Sequence, residues 1–241
     1  MYKLIVISIF LLPTLFAENI LSEVQKNGLT IIKADNTKLI IKRAKNPLCT
    51  EQHIIPKFLF GGDFAGKKVP DVCKKTFVTK VGVLQQMTLS KHITTVGELE
   101  VLAHIKKASA SPKTHTLIDA RTPKWYKQMT IPTSVNLSFN TINYNEDLDE
   151  DDFKDNAAYL KYQKDYRNMF KILNIKKTND GLDFSQAKSA LLYCNGSWCS
   201  QSPKAIMKLI NMGYPEEKLL WYRGGLQDWL IYDFNVESSG K

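Results

Sequence analysis

Apolar and polar residues alternate in two short runs early in the chain, Leu29-Thr30-Ile31-Ile32-Lys33 and Lys38-Leu39-Ile40-Ile41-Lys42, separated by Ala34-Asp35-Asn36. Such alternation predicts strands, and the Asp-Asn turn joins them as a β-hairpin. Pro47, Pro56, Gly61-Gly62, Gly66 and Pro70 then punctuate a loop-rich stretch, after which Val78 to Met87 reads as a further strand. From His92 the pattern changes. Ile93-Thr94-Thr95 predicts a short strand and Val96 to Ala108 a helix, with Leu99, Leu102, Ala103 and Ile105 on one face. Strands at Thr114 to Ala120 and Ser134 to Ser138 flank a helical turn at Trp125 to Gln128. Later come a helix at Phe153 to Leu173, a strand at Ala190 to Tyr193 and a helix at Pro203 to Met212. A strand at Lys218 to Tyr222 and a helix at Leu226 to Tyr232 close the chain. Strands alternating with helices predict an α/β fold, a central parallel sheet covered by helices. The chain thus divides into a small β-rich extension, residues 18–91, and an α/β unit, residues 92–237, with a helical insertion at about 140–188.

The acidic run Glu146-Asp147-Leu148-Asp149-Glu150-Asp151-Asp152 reads as the solvated start of the helix in that insertion, where acids complement the dipole. It lacks the glycine and alternating spacing of a calcium-binding loop.

Composition places the chain. Lys3 precedes an uncharged stretch from Leu4 to Phe16 that ends at Ala17. This order predicts a secretory signal peptide, residues 1–17, cut after Ala17; an uncleaved anchor is the alternative. The expected location is therefore periplasmic or secreted, with no stable membrane insertion after cleavage. With 44% hydrophobic residues the chain can bury a core, and its net charge of +9 favours a small anionic substrate or an acidic partner. No nucleic-acid-binding motif accompanies the charge. Of four cysteines, Cys49 and Cys73 form one pair, and in an exported protein a disulfide between them would contribute ~3 kcal/mol. His53, His92, His104 and His115 show no ligand spacing beside either cysteine pair, so no metal is expected.

The second pair lies in the most informative segment, Tyr193-Cys194-Asn195-Gly196-Ser197-Trp198-Cys199-Ser200-Gln201-Ser202, which leads into Pro203-Lys204. An apolar strand ends at Cys194, a short Gly/Ser loop follows, and Ser202 as N-cap with Pro203 at the first position marks a helix start. Backbone N–H groups of such a loop and helix terminus stabilise an anion, so Cys194 is expected to be a nucleophilic thiolate with a pKa below the usual ~8.5. Cys199 in the same loop could resolve a persulfide or sulfenic acid by forming a disulfide; its plainer reading is a thiol packed beside Trp198. Arg121 and Arg223 lie past strand ends on the Cys194 side of the expected sheet, and Lys204 in the first helical turn. All three are candidates for binding an anionic substrate, against a structural role for Arg121 paired with Asp119 and solvation for Lys204. Trp198 is expected to wall the pocket, and Trp125 and Trp229 to belong to the core.

Four stretches in order make this second unit resemble a rhodanese-like (sulfurtransferase) domain. They are Leu117-Ile118-Asp119-Ala120-Arg121-Thr122-Pro123; Ile131-Pro132 with Ser134-Val135-Asn136; the loop from Cys194 to Ser202; and Gly213-Tyr214 through Trp221-Tyr222-Arg223-Gly224-Gly225 to Trp229. The resemblance implies a small α/β domain with its active-site loop at the carboxyl end of a strand, working without a cofactor. Cys194 matches the family's catalytic cysteine, which accepts a sulfane sulfur from a small anionic donor such as thiosulfate or polysulfide. The persulfide then passes to a thiol, protein or other nucleophilic acceptor. N–H groups from Asn195, Gly196, Ser197, Trp198 and Ser200 would stabilise it, with Gln201 and Ser202 completing the loop. Two features depart from the family. The loop runs slightly long, and where an arginine is common there is Cys199. Without that guanidinium a cysteine-dependent phosphatase lacks its phosphoryl clamp. A thiol–disulfide oxidoreductase using Cys194 and Cys199, and a non-catalytic binding module with both thiols oxidised, remain the alternatives.

Overall fold

The computed structural model describes residues 20, 22–24, 27–33, 35–42 and 83–238. The expected signal peptide, the Cys49–Cys73 pair, the loop-rich stretch and the first half of the strand expected at Val78 to Met87 lie outside the described residues. From Val83 to Met87 the chain forms no strand.

Strands β1 (Leu29–Ile32) and β2 (Lys38–Ile41) pair antiparallel, with Leu29 opposite Ile41. Asn36 takes the left-handed φ of 63° that a tight turn needs, and the Asp35 carboxylate accepts the Thr37 N–H at 2.9 Å. The second unit runs β3 (Thr94–Val96), α1 (Glu98–Ala110), β4 (His115–Asp119), α2 (Pro123–Gln128), β5 (Val135–Asn136), α3 (Asn156–Leu173), β6 (Lys176–Thr178), β7 (Gly181–Asp183), β8 (Ser189–Tyr193), α4 (Gln201–Asn211), β9 (Leu219–Tyr222) and α5 (Gly225–Ile231). Five of these strands form one parallel sheet in the order β3-β9-β8-β4-β5.

Side-chain alternation along the strands splits the core in two. Ile118, Ala190, Leu192, Leu219 and Trp221 face one side, against Met169, Phe170 and Leu173 of α3 and Ala205, Ile206 and Leu209 of α4. Leu117, Leu191, Tyr193 and Tyr222 face the other, against Val101, Leu102 and Ile105 of α1 and Trp229 of α5. The hairpin joins this second layer through Leu29, Ile31 and Ile41, all fully buried.

Several boundaries differ from expectation for local reasons. Helix α1 begins at Glu98, because Val96 completes β3 and the Gly97 N–H donates to the Glu100 carboxylate at 3.0 Å. The acidic run does not start α3. Asp149 caps a separate 3-10 turn at Glu150–Asp152, Phe153 breaks away to pack on Tyr159 and Tyr162, and Asp155 caps α3 by accepting the Ala158 N–H at 2.7 Å. The β6–β7 hairpin within the insertion escaped prediction because its three-residue strands carry no apolar alternation.

Candidate active site

Strand β8 ends in the middle of the sheet, so Cys194 emerges at its carboxyl edge, where parallel sheets place ligands. The loop turns back at once: the Cys199 N–H donates to the Gly196 carbonyl at 2.9 Å. Two neighbouring segments hold it. From the first turn of α5, Leu226 and Gln227 donate backbone N–H bonds to the Cys194 and Asn195 carbonyls at 2.9 and 2.8 Å. The Trp198 indole donates to the Gln227 side-chain oxygen at 2.6 Å. Val83 and Gln85 donate to the Trp198 and Ser197 carbonyls at 2.9 and 2.8 Å.

Helix α4 starts two residues earlier than the Ser202 cap predicts, with Ser200 in the cap position and Ser202 inside the first turn. The Ser202 hydroxyl is thereby free for other work. It is fully buried, donates to the Cys194 sulfur at 3.0 Å and accepts the Trp221 indole N–H at 3.0 Å. The Cys194 thiol donates in turn to the Cys199 carbonyl at 3.1 Å. Both cysteines are free thiols, 2% and 5% exposed.

The expectation of a low-pKa thiolate at Cys194 is not met. Burial pushes the Cys194 thiol well up, and the adjacent Cys199 adds to the effect. Cys199 moves the other way, to about 7, through its hydrogen bond with Cys194, the backbone N–H groups of Asn195 and Gln201, and the field of Arg121.

Arg121 lines the cleft beside the loop and is fully engaged by protein groups. Its Nε and Nη2 donate to both oxygens of Asp119, at 2.9, 3.2 and 2.7 Å, while Nη1 reaches the Asn195 side-chain oxygen at 3.2 Å and Nη2 also meets the Met129 carbonyl. Asp119 also accepts from Thr130 and from the Tyr193 hydroxyl. Arg223 donates from Nε and Nη2 to the Gln85 carbonyl at 3.2 and 2.9 Å. Lys204 is exposed on the first turn of α4.

The model of the rhodanese-like domain family matches residues 101–231, more than half of the chain. The chain belongs to this family. Among solved structures it is similar to the BH2092 protein from Bacillus halodurans, at 21% identity and a TM-score of 0.38, over 62% of this chain and 78% of that one. It is also similar to a thiosulfate sulfurtransferase from Pseudomonas aeruginosa, at 14% identity and a TM-score of 0.36, over 62% of this chain and 21% of that one. No curated protein matches it.

In this rhodanese-like domain the active-site loop borders a cleft of about 380 Å³ lined by Trp125, Met129, Asn195, Trp198, Leu226 and Leu230 among others. Trp198 walls the cleft as expected. Trp125 does too, instead of joining the core, because the short helix α2 buries none of its residues and leaves the indole 45% exposed. Trp229 is fully buried. Sequence reasoning missed Ser202 as a partner of sulfur, Trp221 behind it, and the segment from Val83 to Gln85 on the loop. Nothing in the local pattern signals any of them. Among the described residues no group of three or more His, Cys, Asp or Glu side chains could hold a metal ion, and no helix is long and apolar enough to cross a membrane.

Proposed function

We propose that this rhodanese-like protein is a sulfurtransferase that carries a sulfane sulfur as a cysteine persulfide on the Cys194–Cys199 loop, with thiosulfate or polysulfide as donor and a thiol or other nucleophile as acceptor. The observation that carries this reading is the convergence of two free thiols, inward loop N–H groups and the start of α4 at the carboxyl end of β8. Such a cradle stabilises a sulfur anion before and after transfer. A phosphoryl substrate is disfavoured, because the Arg121 guanidinium is committed to Asp119. Thiol–disulfide exchange draws on the same pair of thiols and differs in leaving no sulfur on the protein. Export by the Leu4–Phe16 signal segment and a Cys49–Cys73 disulfide belong to the same proposal and rest on the sequence.

The test is intact-mass spectrometry of the reduced protein after brief exposure to thiosulfate, and separately to sodium tetrasulfide, with the excess removed. A gain of one sulfur atom that cyanide discharges supports the proposal. Reduced protein that gains no sulfur from either donor overturns it.

A further inference from the structure

The carbonyls of Cys194, Asn195, Ser197 and Trp198 all accept N–H groups from outside the active-site loop. Leu226 and Gln227 of α5 supply two of them; Val83 and Gln85, from a segment far earlier in the chain, supply the others. The peptide groups are trans among the described residues, so each carbonyl held outward turns the N–H of the next residue the opposite way. On the α5 side the consequence is visible. The Asn195 N–H, opposite the held Cys194 carbonyl, helps to lower the Cys199 pKa. On the other side Gln85 holds the Ser197 carbonyl at 2.8 Å, which fixes the direction of the Trp198 N–H. Val83 holds the Trp198 carbonyl at 2.9 Å, behind the Cys199 N–H that closes the turn on Gly196.

Side chains do little to keep the Val83–Met87 segment in place. Val83, Leu84 and Met87 are 66%, 75% and 63% exposed, so apolar burial contributes little. Polar contacts hold it instead. Arg223 directs both Nε, at 3.2 Å, and Nη2, at 2.9 Å, to the Gln85 carbonyl. The Gln85 side chain donates to the Val83 carbonyl, and the Thr95 hydroxyl of β3 donates to the Met87 carbonyl. Arg223 follows directly on β9, the strand beside β8. One guanidinium thus fixes the residue whose N–H fixes the loop.

We propose that Gln85 and Arg223 form a clamp that positions the sulfur-carrying loop: Arg223 holds the Gln85 peptide, and Gln85 with Val83 holds the loop's peptide groups in the orientation that stabilises a sulfur anion. This rests on the sulfurtransferase reading above and adds to it positioning residues from a segment that precedes the family match at residue 101. Both residues act through the loop. N–H groups preset in direction stabilise developing charge without having to reorganise, so loosening them slows sulfur uptake more than it weakens donor binding.

Four variants of the reduced full-length protein test the clamp. Gln85→Pro removes the N–H that holds Ser197, and Gln85→Ala keeps it. Arg223→Met removes both bonds to the Gln85 carbonyl, and Arg223→Lys keeps a cation and a donor. Sulfur uptake from thiosulfate, with sodium tetrasulfide as second donor, is timed by intact mass across donor concentrations, which separates the saturating rate from the half-saturating concentration. Amide hydrogen exchange reads the loop from Asn195 to Cys199 without any sulfur chemistry. Gln85→Pro and Arg223→Met are expected to load about tenfold more slowly at saturation with little change in half-saturation, and to exchange their loop amides faster. Gln85→Ala is expected to match the unmodified protein, and Arg223→Lys to recover part of the rate. Loading at the unmodified rate by folded Gln85→Pro or Arg223→Met overturns the proposal whatever the exchange shows. Slowed loading with unchanged loop exchange also overturns it, as does Gln85→Ala loading as slowly as Gln85→Pro. A raised half-saturating concentration at an unchanged saturating rate in the Arg223 variants makes Arg223 a donor-binding residue and overturns it too. Should Gln85→Pro fail to fold, the two Arg223 variants decide. All of these outcomes leave the sulfurtransferase reading intact; unmodified protein that loads from neither donor overturns that reading and the clamp's role in it together.

Discussion

Ser202 joins three groups in a line, the Trp221 indole, its own hydroxyl and the Cys194 sulfur. Removing the hydroxyl in Ser202→Ala strands a buried indole N–H and takes the donor from Cys194. The expected cost is about 1–3 kcal/mol in urea denaturation. Cys194 should also ionise at higher pH, because the Ser202 bond opposes the effect of burial. An unchanged stability would mean that the indole finds another acceptor. At this scale the sequence identified which residues matter better than what they do. Asp119 and Arg121 stood out as neighbours of a strand end, and the structure buries the pair to 1% exposure or less and ties it to the loop through Asn195. A motif names side chains; their partners come from residues far along the chain.

Elements meet at the loop in a way that a single glycine permits. Gly225 opens α5 at a φ of 60°, and a Cβ there would press on the Cys194 carbonyl and lie 2.8 Å from the Gly196 nitrogen. That close approach lets the Leu226 and Gln227 N–H groups reach the loop carbonyls. Gly225→Ala should therefore destabilise the protein by more than about 1 kcal/mol and loosen the loop, measured by thermal unfolding and by faster alkylation of both thiols. The strands and helices themselves were legible, because burial on both sheet faces writes short apolar runs and amphipathic helices into the sequence. Where prediction slipped, at the starts of α3 and α4, a side chain had two uses available and packing or hydrogen bonding chose between them. Phe153 went to Tyr159 and Tyr162, and Ser202 went to sulfur.

Across the whole molecule, the layer that carries the hairpin also carries a pH-sensitive contact. Burial pushes the His104 imidazole of α1 down to about 4, while its Nε2–H donates to the Thr116 carbonyl at 2.9 Å. The His115 ring packs against it at 5.6 Å and is also lowered by burial, with Lys107 adding to both. Below pH 6.5 the unfolded chain takes up a proton at His104 that the native chain refuses until about pH 4. Stability is thus fully held above that window and lost as pH falls through it, by up to roughly 3 kcal/mol. Urea denaturation across this window should show the slope, and His104→Gln should flatten it; an equal slope in the variant would assign the acid sensitivity elsewhere.

By itself the sequence determined the order of the five strands of the parallel sheet and the helices between them, the β1–β2 turn and the position of a thiol-bearing loop at a strand end. These follow from local periodicity and from residues whose chemistry is visible in one dimension. The tertiary structure decided that the hairpin shares a core with α1, that Arg121 and Arg223 serve protein carbonyls and carboxylates, and that the more acidic of the two loop thiols is Cys199. Each of those outcomes depends on burial and on hydrogen bonds between residues distant in sequence. Ionisation in particular is set by which donors and acceptors surround a sulfur, and the four loop residues between Cys194 and Cys199 leave them in different surroundings.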